Sequence, residues 1–302
     1  MIFTSTMILG TLISISSNNW FGIWMGLEIN LLSIIPLMSK PNSPISAESS
    51  IKYFITQALA SSILLMSILS MGVIYDSTSN LLIESVMFTK MGAAPFHFWF
   101  PEVMEGLSWN INILVMTWQK MAPMVVLMYL PLAAGFTLIV IITSMLISGL
   151  MGINQTSIRK IMAFSSINHI GWMISTIMFL ETLWMTYFMI YSLIVIPIAT
   201  TFNKLNLSHI KQFMSTIDSS PNKMLFSLNF LSLGGIPPFL GFFPKWLTIQ
   251  ALVEINLVSL AILMVTLTLI PLYFYIRMSM TSLVLYQTKI FQENKNFSSK
   301  IN

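Results

Sequence analysis

The sequence predicts an all-α protein: a polytopic bundle of about ten transmembrane helices, arranged as an inverted repeat of two five-helix halves with interrupted helices. Three observations lead there. Hydrophobic residues make up 56% of the 302 and charged residues 8%, with a mean hydropathy of +0.82. A soluble domain carries roughly 25% charged residues, so a water-soluble fold is excluded. Polar breaks divide the chain into ten apolar segments, each near the ~20 residues that a helix needs to cross the bilayer core. Two proline-bounded segments of similar sequence, Pro95 to Pro101 and Pro238 to Pro244, lie in the fourth and ninth of these.

The expected spans are 2–17, 20–38, 51–74, 81–99, 110–129, 133–151, 158–179, 182–201, 223–250 and 257–278. Short stretches containing Pro, Asn, Ser or Gly, such as 39–46 and 76–80, separate them. The first span has no basic region before it, no small-residue cleavage site and no Arg-rich pattern, so no removable leader is expected. The fourth starts near Glu84, read as a solvated helix end, and the ninth, with Gly234-Gly235-Ile236-Pro237-Pro238, is too long and broken for one straight helix. Residues 1–280 form the transmembrane domain, and 281–302 a polar, basic tail.

Charge tests the helix count. If every segment crosses, Lys40, Lys52, Arg159, Lys160, Lys204, Lys211, Lys223, Arg277, Lys289, Lys295 and Lys300 all fall on the side of the N-terminus, while Asp76, Glu181 and Glu254 fall opposite. One missed span would scramble this sorting. By the positive-inside tendency both termini face the cytoplasm or mitochondrial matrix. These basic residues orient the chain, which accounts for its net charge of +4 without a nucleic-acid partner. Glu102 and Glu105 are expected as capping or interfacial groups on that same side.

Glu28, Lys90, Lys120 and Lys245 remain inside spans. An ionisable group in the membrane costs several kcal/mol unless paired or hydrated, and is usually kept for transport or a proton relay. Three lysines and one glutamate cannot all be neutralised as simple pairs. His97, seven residues beyond Lys90 and on nearly the same face if the helix continues, is a candidate extension of the path. His169, within Ser165-Ser166-Ile167-Asn168-His169, is either a relay in a water chain or a packing histidine. His209 lies in a loop.

The segments PFHFWFP and PFLGFFP match at four of seven positions, and their displacement by five spans reverses the direction of travel. Such inverted repeats with broken helices are a recurring plan of secondary transporters, in which freed backbone lines a site near the midplane. No cysteine is present to ligate an iron–sulfur cluster, and three histidines poorly supply a multi-haem or zinc protein. The 25 methionines fit the compositional bias of an animal mitochondrial gene.

The stretches WMGLEINLLSIIPL (24–37), KMGAAPFHFWFPEVMEGL (90–107), TWQKMAP (117–123), NQTSIRKIMAFSSINHIGWM (154–173) and LSLGGIPPFLGFFPKW (231–246) closely resemble the chain 2 family of antiporter-like membrane subunits of mitochondrial NADH:ubiquinone oxidoreductase, respiratory complex I. That family is similar to subunits of multisubunit cation/proton antiporters. The resemblance implies that Glu28, Lys90, Lys120 and Lys245 are its proton-translocating residues, the same four that charge counting isolates. It also implies a multi-pass protein of the mitochondrial inner membrane, with termini on the matrix side and other membrane-arm subunits and lipids as partners. NADH, flavin, iron–sulfur clusters and ubiquinone would reside in those partners, with no cofactor in this chain. The sequence starts in the shortened manner of animal members, without three N-terminal helices of the fourteen-helix bacterial pattern. It stops where related chains continue into one more hydrophobic helix.

In the mechanism so implied, redox energy released elsewhere alters the hydration and pairing of Glu28 and Lys90. Proximity of the carboxylate stabilises the lysine's charge, and separation leads it to release its proton. Lys120 passes the proton between half-channels, and Lys245 is the far terminal donor. A stand-alone cation/proton antiporter and a non-pumping membrane scaffold are the alternatives.

Overall fold

The computed structural model describes residues 2–39, 43–71, 76–179, 181–210, 212 and 220–298. Its helices are α1 (Ile2–Ser16), α2 (Trp20–Met38), α3 (Pro44–Ser70), α4 (Asp76–Met91), α5 (Trp99–Gly106), α6 (Trp109–Met116), α7 (Trp118–Met128), α8 (Ala134–Ile153), α9 (Ile158–Phe179), α10 (Glu181–Lys204), α11 (Ser220–Gly234), α12 (Phe242–Glu254) and α13 (Val258–Ser298). Among the described residues seven segments are long and apolar enough to cross a membrane: α2, α3, α6 with α7, α8, α9, α10 and the first part of α13. The other three expected crossings fall on α1, on α4 and on the α11–α12 pair, which are short or interrupted.

Several boundaries depart from expectation. α3 starts at Pro44, because proline is accommodated in a first helical turn, where its missing N–H has no partner to lose. α4 takes in the expected loop from Asp76 and stops at Met91, not 99. The fifth span divides at Thr117, whose ψ of −76° leaves the helical path. α13 continues beyond the expected end of the tenth span to Ser298, through most of the polar, basic tail.

The two breaks are the same structure built twice. α4 ends with Gly92 at φ +74°, its N–H donating to Thr89 O and the Ala93 N–H to Phe88 O. α11 ends with Gly235 at φ +74°, its N–H donating to Ser232 O and the Ile236 N–H to Leu231 O. Both are Schellman closures, in which a left-handed glycine folds two amides back onto the last carbonyls. Prolines follow each time, at Pro95 and at Pro237-Pro238, where the missing N–H prevents the helix from resuming. The correspondence runs on at one constant offset, since Phe100 N–H bonds His97 O and Phe243 N–H bonds Leu240 O. Carbonyls released by the first break find partners in the protein: Thr143 donates to Ala94 O at 3.1 Å, and the Trp99 indole to Thr89 O at 3.0 Å.

Contacts sort the loops into two ends. At one end Lys52 pairs with Glu48 and Glu102, and Lys160 with Glu105. Arg159 donates to Glu105 O, the Trp109 indole to Leu207 O, and Arg277 to Ile153 O. Glu102 and Glu105 thus pair with basic residues, and Lys52, Arg159, Lys160 and Arg277 share this end. At the other end Tyr129 donates to Ile15 O and the Ala133 N–H to Glu84. Lys40, Lys211 and Lys300 lie outside the described residues.

α9 is the axis of the bundle. Of its span 94% is buried, against 33% to 56% in the other six, yet its mean hydropathy of 1.2 is the lowest of the seven. The least apolar crossing is therefore the one best shielded from lipid, and its polar residues are turned toward neighbouring helices.

Candidate functional site

All three intramembrane lysines are buried, with relative exposures of 8% for Lys90, 1% for Lys120 and 6% for Lys245. Each lies at a helix discontinuity. Lys90 is the last residue but one of α4, Lys120 stands three residues after the break at Thr117, and Lys245 is in the first turn of α12. Interruption makes room beside the backbone and frees carbonyls, which in a membrane is tolerated only where the protein satisfies them or water reaches them.

Lys90 lines a cavity of about 20 Å³ with Asn30, Tyr53, Gln57 and Gln119, enough for about one water. Asn30 and Gln119 bond each other reciprocally at 2.9 Å and so use both side-chain amides in a closed pair. The buried Gln57 Nε2 has no protein partner. Half-buried Glu28 is near enough for its charge to act on Lys90, but the two form no direct ion pair. The expected pair is therefore brought together electrostatically and not in contact.

Lys120 points at α9 and α10. Its Nζ lies 3.4 Å from Ser166 O, 5.3 Å from the centre of the Phe100 ring and 5.5 Å from that of Tyr191. Such cation–π contacts attract an ammonium without supplying a counter-charge. Lys245 donates to Gly234 O at 2.8 Å, the carbonyl that ends α11, and lies 5.9 Å from the Trp172 ring. Backbone dipoles accumulate partial negative charge at a helix C-terminus, so the break itself provides the ligand for this ammonium.

His169 stands near both of these lysines. Its Nδ1 is 2.9 Å from Tyr187 OH, its ring centre is 5.0 Å from that of Tyr191, and the charges of both Lys245 and Lys120 act on it. Asn168 Oδ1 and Trp172 Nε1 are buried without protein partners, and the buried His169 Nε2 completes no bond of normal geometry although the Leu233 backbone is near the ring. The Tyr191 and Tyr275 hydroxyls are near Ser166 and Ser165 but complete no bond of normal geometry. Buried polar groups are satisfied as a rule, by ordered water where protein does not do it, so this cluster is chemically suited to hold a water chain.

His97 is not placed as expected. The same-face argument needs α4 to continue, and the turn at Gly92 removes that premise. His97 sits buried in the break, its ring 4.5 Å from that of Phe98, and it does not line the Lys90 cavity. Glu84 is a second correction: read as a solvated end, it is 0% exposed. Sequence reasoning also missed Asn30, Gln57, Gln119 and the tyrosines. The only available signal was a polar side chain inside an apolar span, and pairing across helices is not written in either partner alone.

The chain matches the family profile described as NADH:quinone oxidoreductase/Mrp antiporter, TM, over residues 17–89 and 76–271. It is 51% identical to NADH-ubiquinone oxidoreductase chain 2 of Anopheles gambiae, covering 99% of this chain and 91% of that one. Identity to the protein of the same name from Aedes aegypti is 52%, covering 98% and 87%. Among solved structures it superposes on a chain of respiratory complex I from Thermus thermophilus with a TM-score of 0.83 at 20% identity, over 93% of this chain and 69% of the other. A chain of the Mrp complex from Dietzia sp. gives a TM-score of 0.79 at 18% identity, over 91% and 59%.

Proposed function

This chain belongs to the NADH:quinone oxidoreductase/Mrp antiporter transmembrane family, and from that membership we propose that it is a core membrane subunit of complex I that moves protons across the mitochondrial inner membrane. Electron transfer from NADH to ubiquinone drives it from other subunits, which carry the flavin, the iron–sulfur clusters and the quinone site. The observation that carries the proposal is the placement of three buried lysines at three helix breaks, two of them, Lys120 and Lys245, against one polar helix whose span is 94% buried. A scaffold has no use for ammonium groups without carboxylate partners in its interior, where each is expensive.

In this reading Glu28 and Lys90 form the adjustable element. They interact without touching, so a small change in distance or hydration changes how strongly the carboxylate holds the lysine's charge. A proton leaving Lys90 is passed to Lys120, then through the His169 cluster to Lys245. His169 acts as a relay, and its contacts with Tyr187 and Tyr191, within reach of the charges of both lysines, favour that role over packing alone. His97 lacks such connections and is assigned no step. Both termini face the matrix, residues 1–280 form the translocating domain, and the remaining partners are membrane-arm subunits and lipid.

Purification tests the assignment first. The chain should co-purify with a large NADH-oxidising assembly and should not exchange cations for protons when reconstituted alone. Activity of the isolated chain would favour a stand-alone antiporter.

A further inference from the structure

Among the described residues Glu84 is the one strongly buried carboxylate that the route above does not use. In α4 it precedes Lys90 by six residues, which on a regular helix is about 9 Å along the axis and about 120° around it, and it is absent from the Lys90 cavity. Its Oε1 accepts a hydrogen bond from the Ala133 N–H at 2.8 Å, where α8 begins. Its Oε2 is buried with no partner, and among the described residues no Lys, Arg or His pairs with it. Accepting one backbone N–H does not need an ionisable group, because an amide or a hydroxyl serves as well. A carboxyl enclosed with one oxygen anchored and the other open is a group able to gain and lose a proton in place.

Its position gives that ability a direction. Glu84 lies at the end of the bundle where Tyr129 meets Ile15, opposite the Lys52, Arg159 and Lys160 contacts. The seam between α8 and α9 leads toward it. Buried Ser144 on α8 faces Gly171, two residues beyond His169, and buried Thr137 contacts Met178 one turn inside Ala133. We propose that Glu84 is the terminal proton-binding group of the route, taking a proton carried by water along the α8–α9 seam and passing it to water at the end opposite the basic residues. An O–H bond forms at Oε2 as a hydronium ion gives up its proton, and the same bond breaks as external water receives it. The donor hydronium loses one O–H bond in the first step, and the receiving water gains one in the second. The inference rests on the proton-moving reading above and adds the exit to it.

The test is proton flux in sealed vesicles containing the assembled complex, comparing Glu84→Gln, Glu84→Asp and Lys120→Met. Glutamine keeps the acceptor for Ala133 but cannot carry the proton. The expected result is a loss of flux in Glu84→Gln comparable to that in Lys120→Met, with substantial rescue in Glu84→Asp. Normal flux in Glu84→Gln beside a loss in Lys120→Met overturns the exit assignment and leaves the lysine route standing. Normal flux in Lys120→Met overturns the route itself, and the exit with it. If Glu84→Gln does not assemble, redox-difference infrared spectra decide: a carboxyl band displaced in Glu84→Asp supports the assignment, and an unchanged carboxyl region overturns it.

Discussion

Glu28, Lys90, Lys120 and Lys245 were legible in the sequence because charge is rare in the spans, and the structure encloses all three lysines. Their surroundings were not legible. The closed amide pair of Asn30 with Gln119 fixes α2 to α7 beside Lys90 across a long stretch of chain. Neither residue announces the other. Glu84 was misread because depth was inferred from distance to the predicted helix end, and α4 starts at Asp76, earlier than that end. At this scale the account predicts coupling: Glu28→Gln and Lys90→Met each lower proton yield per NADH oxidised, and the double variant is little worse than Lys90→Met. Residues acting through one interaction are non-additive, with coupling of about 0.5–3 kcal/mol. Additive losses, measured with assembly verified, would show that the two residues act independently.

Helices carry the second lesson. Proline and glycine clusters located the interruptions at Pro95 and in 234–238, and the sequence match between them is realised as two identical Schellman closures. The break at Thr117 was invisible, since neither glycine nor proline marks it and threonine is tolerated in helices by propensity. Gly235 supplies the sharpest element-level prediction. A Cβ there would stand 2.8 Å from Lys245 Cδ and Nζ, and its φ of +74° is one that L side chains rarely adopt. Gly235→Ala should destabilise the closure by about 1 kcal/mol or more and dislodge the Lys245 ammonium from Gly234 O. Proton flux should fall while the other subunits still oxidise NADH with an artificial acceptor. Unchanged flux would separate the α11 break from Lys245 chemistry.

For the molecule as a whole, composition gave the membrane class, and charge sorting the shared end of Lys52, Arg159, Lys160 and Arg277, because both are sums over many residues and tolerate boundary errors of several positions. The enclosure of α9 was beyond reach of that method, as hydropathy ranks it the least apolar of the seven long spans. Orientation follows as a prediction. The chain has no cysteine, so single cysteines at Glu254 and Asn206 should be labelled from opposite faces of sealed membranes, Asn206 from the matrix. Labelling of both from one face would refute the ten-span path. The central claim is that buried lysines carry protons through the bundle, and the most direct test is proton flux in sealed vesicles holding the assembled Lys120→Met complex. Methionine matches the length and apolar stem of lysine and removes the only titratable part. Flux is expected to fall by about two-fold or more, a barrier change of only ~0.4 kcal/mol. Flux equal to that of the unmodified complex, at equal assembly, would contradict it.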